Sequence, residues 1–223
     1  MAVLGVDGWR GVWVGALLDG RSATLLVLPD APAVLAVPDV EIIGIDMPLG
    51  LSDDGVRDCD LEARRRLSRA GASGTVFPAP VRPVLAAQSY AQARRLAVAA
   101  SRRSISAQSW NLVPSIRQVD DALGDPPTER VVEVHPELAF RALDARVRDR
   151  KSLPRGQAQR IRALLPVMDV LAGLAEAPAG PPVVDMLDAC AAAWSAQRIA
   201  DRTAECVGDG TTDRRGRPMR ICW

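Results

Sequence analysis

Residues 2–28 read AVLGVDGWRGVWVGALLDGRSATLLVL, and this stretch decides the fold that we expect. Three short apolar runs in it have the length of β-strands: Ala2–Asp7, Val12–Leu18 and Ala23–Leu28. A Gly8–Gly11 turn and the dipeptide Asp19-Gly20, a hairpin signal, separate these runs. The stretch therefore predicts a pair of hairpins.

The pattern beyond the hairpins indicates a sheet with flanking helices. A short helix is expected over residues 31–36, before a buried strand over residues 41–47 that Pro48 and Gly50 end. A further strand is expected over residues 130–135, where Pro136 can open a helix. Hairpins followed by a crossover to another strand are typical of a mixed α/β sheet.

The middle of the chain is Arg-rich and helical, and we interpret residues 52–127 as an insertion into one domain that spans residues 1–207. Two helices and an intervening Gly/Pro-rich loop are expected there, over residues 60–70, 89–103 and 71–83. Later helices are expected over residues 157–175, with Pro166 as a break or kink, and over residues 185–201. Residues 208–223 are predicted to be a polar, Arg-rich and loosely held tail.

Composition excludes several classes of protein. A hydrophobic content of 48% and a charged content of 25% are ordinary for a core-forming chain, and no uncharged apolar stretch approaches the roughly 20 residues of a membrane span. The start lacks the basic region of a secretion signal, so we expect a cytoplasmic protein with reduced thiols at its four cysteines. No CxxC pair occurs, and His135 is the one histidine. Metal chemistry would therefore depend on carboxylates, which select hard cations such as Mg²⁺ or Mn²⁺.

Acidic residues recur at the ends of the predicted strands. Asp7, Asp46 and Glu133 each lie at or near the carboxyl end of a strand, where ligands gather in open α/β sheets. Asp185 and Asp188 are three residues apart, and so share one face of the last helix. Clustered carboxylates repel one another, and one or two divalent cations would remove that repulsion. Such a site can activate water for phosphodiester hydrolysis.

Each of these acids also has a purely structural interpretation. Asp7 and Asp46 precede turns, where Asp often caps backbone donors. Asp185 has the position of a helix N-cap, and the helix dipole favours Asp188. Glu133 needs a partner inside an apolar strand unless an edge strand exposes it, and His135 suits a structural hydrogen bond. The combination of acids and their order favours the metal interpretation.

Seven motifs together resemble a bacterial family, the domain of unknown function 429 group, which is described as predicted RNase H-like nucleases. In chain order the motifs are GVDGWRG (residues 5–11), IDMPLGL (45–51), RDCD (57–60), VFPAP (76–80), QSWN (108–111), EVHPE (133–137) and DMLDACA (185–191). The resemblance covers nearly the whole chain to about residue 200.

The resemblance implies an RNase H-like mixed five-stranded sheet in the order 3-2-1-4-5, with flanking helices and a helical insertion between strands 4 and 5. It also implies a site in which Asp7, Asp46, Glu133, Asp185 and Asp188 hold the metal and carry the catalysis. The expected substrate contacts are residues in or near the motifs: Arg10, Arg57, Arg64, Arg82, Gln108, Asn111 and His135.

The charge distribution agrees with a polyanionic partner. The net charge of +1 conceals −6 over residues 1–56 and +7 over residues 57–103. The leading hypothesis is therefore a metal-dependent nuclease whose partner is nucleic acid, with no membrane association; the sequence leaves a homodimer open. Two alternatives remain: a nucleotide phosphohydrolase or phosphotransferase on the same fold, and a non-catalytic nucleic-acid-binding module.

Overall fold

The computed structural model describes residues 1–68, 76–125 and 128–223. Its chain begins with three antiparallel strands. They are β1 (Ala2–Trp9), β2 (Val12–Asp19) and β3 (Ser22–Leu28). The predicted Gly8–Gly11 turn is wrong in extent, because β1 continues through Gly8 and Trp9 to pair with β2. Arg10 and Gly11 alone form the turn, both with positive φ (48° and 87°), as a two-residue hairpin turn of the primed type requires. Asp7 therefore lies inside the strand.

Two parallel strands complete the sheet. Helix α1 (Ala31–Leu35) leads into β4 (Val40–Ile45), and β5 (Val131–Glu133) pairs with β4 on its far side. The strand order is 3-2-1-4-5, with β1, β4 and β5 mutually parallel, so the expected mixed sheet is confirmed. In this register Val6, Ile45 and Glu133 lie side by side. The Asp46 amide donates to the Val6 carbonyl at 2.9 Å and continues the ladder by one residue.

The last long helix, α8 (Val183–Ala200), packs across β1, β2 and β4. Two strand glycines allow this close contact. A Cβ on Gly5 would lie 2.0 Å from the Ala193 nitrogen, and a Cβ on Gly44 would lie 2.7 Å from the Ala192 carbonyl oxygen. The backbone of α8 thus rests directly on the sheet, and this contact fixes the position of its side chains relative to β1.

Three shorter helices join β5 to α8: α5 (Pro136–Leu143), α6 (Pro154–Leu164) and α7 (Val170–Ala175). Pro136 opens α5, as predicted. The break or kink predicted at Pro166 is confirmed as a break, because the chain leaves the helical path there and the stretch predicted over residues 157–175 forms two helices.

The chain divides into two compact units. The first contains the sheet and consists of Met1–Met47, Glu129–Cys206 and Cys222–Trp223; the second consists of Pro48–Thr128 and Val207–Ile221. The second unit contains α2 (Asp58–Ser68), a 3₁₀ turn (Arg82–Ala86), α3 (Tyr90–Ser101) and α4 (Ala107–Ala122). The predicted end of the first insertion helix, at residues 69–70, and the start of the following loop, residues 71–75, lie outside the described residues.

Helix α4 was not predicted, because Pro114 falls within it and obscures its period. It nevertheless contributes to the core of the second unit, where Val113 packs with Val84, Ala97 and Ile105. Most described residues of the insertion are therefore helical, as expected.

The C-terminal segment is held, and two expectations about it were wrong. Cys206 and Cys222 form a disulfide, so they are not reduced thiols, whereas Cys59 and Cys190 are free and buried. The segment between them is not loosely held: in the second unit Arg217 is buried against Asp120, and Asp213 accepts from the Leu51 amide at 3.1 Å. Polar composition misled the prediction, because these charged residues pair with one another.

Across the described ranges, no helix combines the length and apolar character that crossing a membrane requires.

Candidate metal centre

Three carboxylates meet where β1 faces the start of α8. Asp7, Asp185 and Asp188 each offer an oxygen, and these oxygens all lie within 4.8 Å of one another. Asp7 reaches the group from inside β1, and the two helix acids project from the first two turns of α8. The positive end of the helix dipole favours carboxylates there. The spacing of three residues puts Asp185 and Asp188 on one helix face, as the sequence indicated.

Burial and mutual repulsion both disfavour charge on these acids. Burial raises the pKa of Asp7 well above its usual value, and the charges of Asp46 and Asp188 raise it further, against the opposing charge of Lys151. Burial likewise raises the pKa of Asp188 and of Asp185, again partly offset by Lys151. A cluster of this kind favours any bound cation that removes the repulsion.

Asp46 is electrostatically linked to this group without belonging to it. It follows the last residue of β4, beside Val6, and its charge acts on Asp7. Burial raises the pKa of the Asp46 carboxyl to about 6; the charge of Asp188 adds to this increase, and those of His135 and Lys151 oppose it. Asp46 thus contributes negative charge beside the three-oxygen group.

The Lys151 ammonium contacts the cluster directly. Its Nζ lies 2.5 Å from Asp188 Oδ2; the Asp188 side chain is only 3% exposed, whereas the Lys151 side chain is 49% exposed. Burial lowers the pKa of Lys151, but the charges of Asp188, Asp7 and Asp46 and the hydrogen bond to Asp188 outweigh it, so the pKa is raised. Lys151 therefore remains charged and provides a cation beside the carboxylates.

A buried arginine anchors the loop that carries Lys151, between α5 and α6. Arg160 of α6 pairs with Glu137 of α5 at 2.6 Å and donates to the Asp149 carbonyl at 3.0 Å. Gln159 accepts from the Arg148 and Asp149 amides, both at 3.0 Å. These hydrogen bonds from Arg160 and Gln159 thus fix the backbone at Asp149, two residues before Lys151.

Glu133 is the last residue of β5 and pairs with Ile45, and His135 lies two residues beyond it. Glu133 is 6% exposed although β5 is the edge strand of the five-stranded sheet, so the exposed-edge interpretation is wrong. Neither Glu133 nor Asp46 is part of the three-oxygen group found among the described residues. His135 is half-buried, its charge acts on Asp46, and within the described chain its buried Nδ1 has no hydrogen-bond partner.

Apart from the half-buried His135, the residues predicted to contact substrate fall into two classes. Four are exposed: Arg10, Arg64, Gln108 and Asn111. Arg57 and Arg82 are buried in ion pairs of the second unit, Arg57 with Asp60 at 2.5 Å and Arg82 with Asp120 at 3.2 Å and with Asp213. Their guanidinium groups hold that unit together.

The donor set fits a hard divalent cation. All three close ligand atoms are carboxylate oxygens, which suit Mg²⁺ or Mn²⁺ better than softer metals. Asp7, Asp185 and Asp188 would hold the ion, and burial raises the pKa of each of these carboxyls although Lys151 opposes the rise.

Sequence reasoning missed Lys151 and its support. The available signal was compositional: Lys151 is the sole lysine in a chain with 28 basic residues. Glu137 was part of a recognised motif, yet nothing local indicated that it would pair with Arg160, 23 residues away.

Comparison with known proteins is consistent with the motifs. Searches of the curated proteins and of the solved structures found no match. The model of one family, described as protein of unknown function (DUF429), matches residues 5–213. That match spans both units and all five acids discussed above, and the chain belongs to the DUF429 family.

Proposed function

We propose that this protein is a metal-dependent phosphodiesterase that acts on nucleic acid. The observation that carries the proposal is the meeting of Asp7, Asp185 and Asp188 with their oxygens within 4.8 Å. Carboxylate-bound Mg²⁺ or Mn²⁺ supplies charge that activates water and stabilises a leaving oxygen. A polyanionic substrate agrees with the basic stretch over residues 57–103.

The residues of the proposed site have separate roles in binding the cation and the substrate. Asp7, Asp185 and Asp188 bind the cation, and Asp46 adds negative charge beside them that strengthens this binding. Lys151 and the exposed Arg10 and Arg64 supply positive charge for phosphates. Gln108, Asn111 and His135 remain candidate substrate contacts, and Glu133 remains a candidate further acid of the site.

Calorimetric titration of Mn²⁺ tests the metal centre. We expect saturable binding to the wild type and affinity reduced at least about ten-fold in Asp188→Asn and Asp7→Asn. Asp39→Asn is the matched control, because Asp39 is an exposed acid outside the cluster whose positive φ of 55° asparagine tolerates. Equal or negligible heats for the wild type and the cluster variants would overturn the proposal.

A panel of single-stranded, duplex, hybrid and branched nucleic acids, with Mg²⁺ or Mn²⁺, tests the reaction. We expect cleavage of at least one substrate by the wild type and by Asp39→Asn, and none by Asp7→Asn. Cleavage that survives Asp7→Asn would identify a contaminant and contradict the assignment. Hydrolysis of nucleotides without cleavage of any nucleic acid would replace the proposed substrate with a nucleotide.

A further inference from the structure

The single lysine of the chain occupies the position from which a cation would neutralise Asp188. Lys151 Nζ lies 2.5 Å from Asp188 Oδ2, and Asp188 is one of the three acids whose oxygens meet. An ammonium and a divalent cation that both require this carboxylate compete for it. The pair therefore links the state of Lys151 to the occupancy of the metal site.

The Lys151 ammonium can separate from Asp188 without disturbing the fold. Arg160, itself paired with Glu137, and Gln159 hold the loop backbone at Asp149 and not at the lysine itself. The Lys151 side chain is half-exposed, so its ammonium can pass from Asp188 to solvent by rotating about its own bonds. Departure thus requires no movement of α5, α6 or α8.

The choice of lysine is chemically specific in this arginine-rich chain. A guanidinium binds a carboxylate through two parallel hydrogen bonds, whereas an ammonium is a compact point charge on a flexible stem. Arg160, the neighbouring buried cation, is the contrast: its guanidinium donates to Glu137 and to two backbone carbonyls. Lysine is the basic side chain suited to exchange.

We propose that Lys151 is an exchangeable counter-cation, which holds Asp188 in the metal-free protein and is released towards substrate phosphate when a divalent cation binds. This inference rests on the proposed function, because it assumes that the carboxylate cluster is a metal site. Metal binding and phosphate binding are then coupled through one ammonium. The Lys151 ammonium becomes available to phosphate only after the metal has replaced it beside Asp188.

Nuclear magnetic resonance observes the exchange directly, since protein labelled with ¹⁵N-lysine gives one side-chain Nζ signal. In metal-free protein we expect the signal of a hydrogen-bonded ammonium. Saturating Mg²⁺ moves it to the position seen in metal-free Asp188→Asn. A signal that stays in place while calorimetry shows Mg²⁺ bound would overturn the exchange and leave the proposed function intact; no metal binding at all would overturn both.

Substitution gives a second, independent measurement. Lys151→Met removes the competing charge, so we expect Mn²⁺ to bind about five-fold more tightly or better. Arg155→Met is the control, because Arg155 is a cation of the same region that is 83% exposed and pairs with Asp149, not with Asp188. A similar increase in Mn²⁺ affinity in both variants would show that Lys151 acts only through the overall charge of the region, and it would contradict exchange at Asp188.

Discussion

At the scale of single residues, Asp46 offers the clearest pH signature. Its pKa is about 6 in the folded protein, against about 3.9 in an unfolded chain. Between these values the folded state binds more protons than the unfolded state, so stability falls as pH rises from about 4 to 6. The loss of folding stability caused by ionisation of Asp46 is complete above pH 6 and absent well below pH 4.

Asp46→Asn removes this titration. We expect the variant, without metal, to melt at a higher temperature than the wild type at pH 8, and the difference to disappear towards pH 3.5. Thermal unfolding in a chelator at both pH values measures this, with Asp39→Asn as the reference for an exposed acid. A difference that is the same at both pH values would contradict the assigned environment of Asp46.

The sequence indicated which acids to consider, but not which ones meet. Asp185 and Asp188 follow from helix periodicity, and Asp7 from its position near a strand end. Glu133 is outside the close group found in the described residues. It pairs with Ile45, which pairs in turn with Val6, one residue before Asp46 and Asp7, and the pattern of a single strand does not specify this register. The Lys151 contact joins residues 37 apart through a loop without periodicity, so no local signal predicts it.

At the scale of elements, the contact between α8 and the sheet is the main constraint on the candidate metal centre. Gly5→Ala would place a Cβ 2.0 Å from the Ala193 nitrogen and 2.2 Å from the Ala189 carbonyl oxygen, both of them helix backbone. Neither partner can rotate away, so α8 must shift. We expect a loss of at least about 3 kcal/mol in the free energy of unfolding, measured by chemical denaturation.

Gly15→Ala on β2 is the matched control for this prediction. Its Cβ would lie 3.3 Å from Leu4 Cδ1 and 3.4 Å from Leu28 Cδ1, which are ends of flexible side chains. A small change is expected for this variant. Equal losses in the two variants would show that the cost comes from alanine in a strand rather than from the helix contact.

Element prediction succeeded where patterns are regular. The hairpins, β4 and α8 follow from apolar runs and turn residues. A failure came where proline obscured the pattern, because α4 continues through Pro114 and was missed, whereas the break expected at Pro166 does separate α6 from α7. Tertiary packing determines which of these prolines a helix accommodates, and a single sequence does not reveal that packing.

At the scale of the whole molecule, the disulfide closes the C-terminal segment that composition described as a loose tail. Cys206 and Cys222 are 16 residues apart, and a loop of this length corresponds to about 3 kcal/mol of stabilisation. Cys206→Ser should lose about that amount in chemical denaturation, and dithiothreitol should lower the wild type to the same level. Unchanged wild-type stability under dithiothreitol would show that the bridge contributes nothing.

The charge distribution of the whole chain was only partly informative. Composition separated acidic and basic stretches, and three arginines of the basic stretch, Arg57, Arg64 and Arg82, were expected to contact substrate. Arg57 and Arg82 instead neutralise buried aspartates. Pairing of this kind depends on residues far apart in sequence, such as Arg82 and Asp213, and becomes visible only in the folded chain.

The glycines beneath α8 also bear on the spacing of the carboxylate oxygens. The three oxygens here lie within 4.8 Å, a separation determined by how closely the helix backbone rests on Gly5 and Gly44. A substitution at Gly5 or Gly44 would therefore change the spacing of the oxygens in the candidate metal centre, although neither glycine has a side chain or would touch an ion.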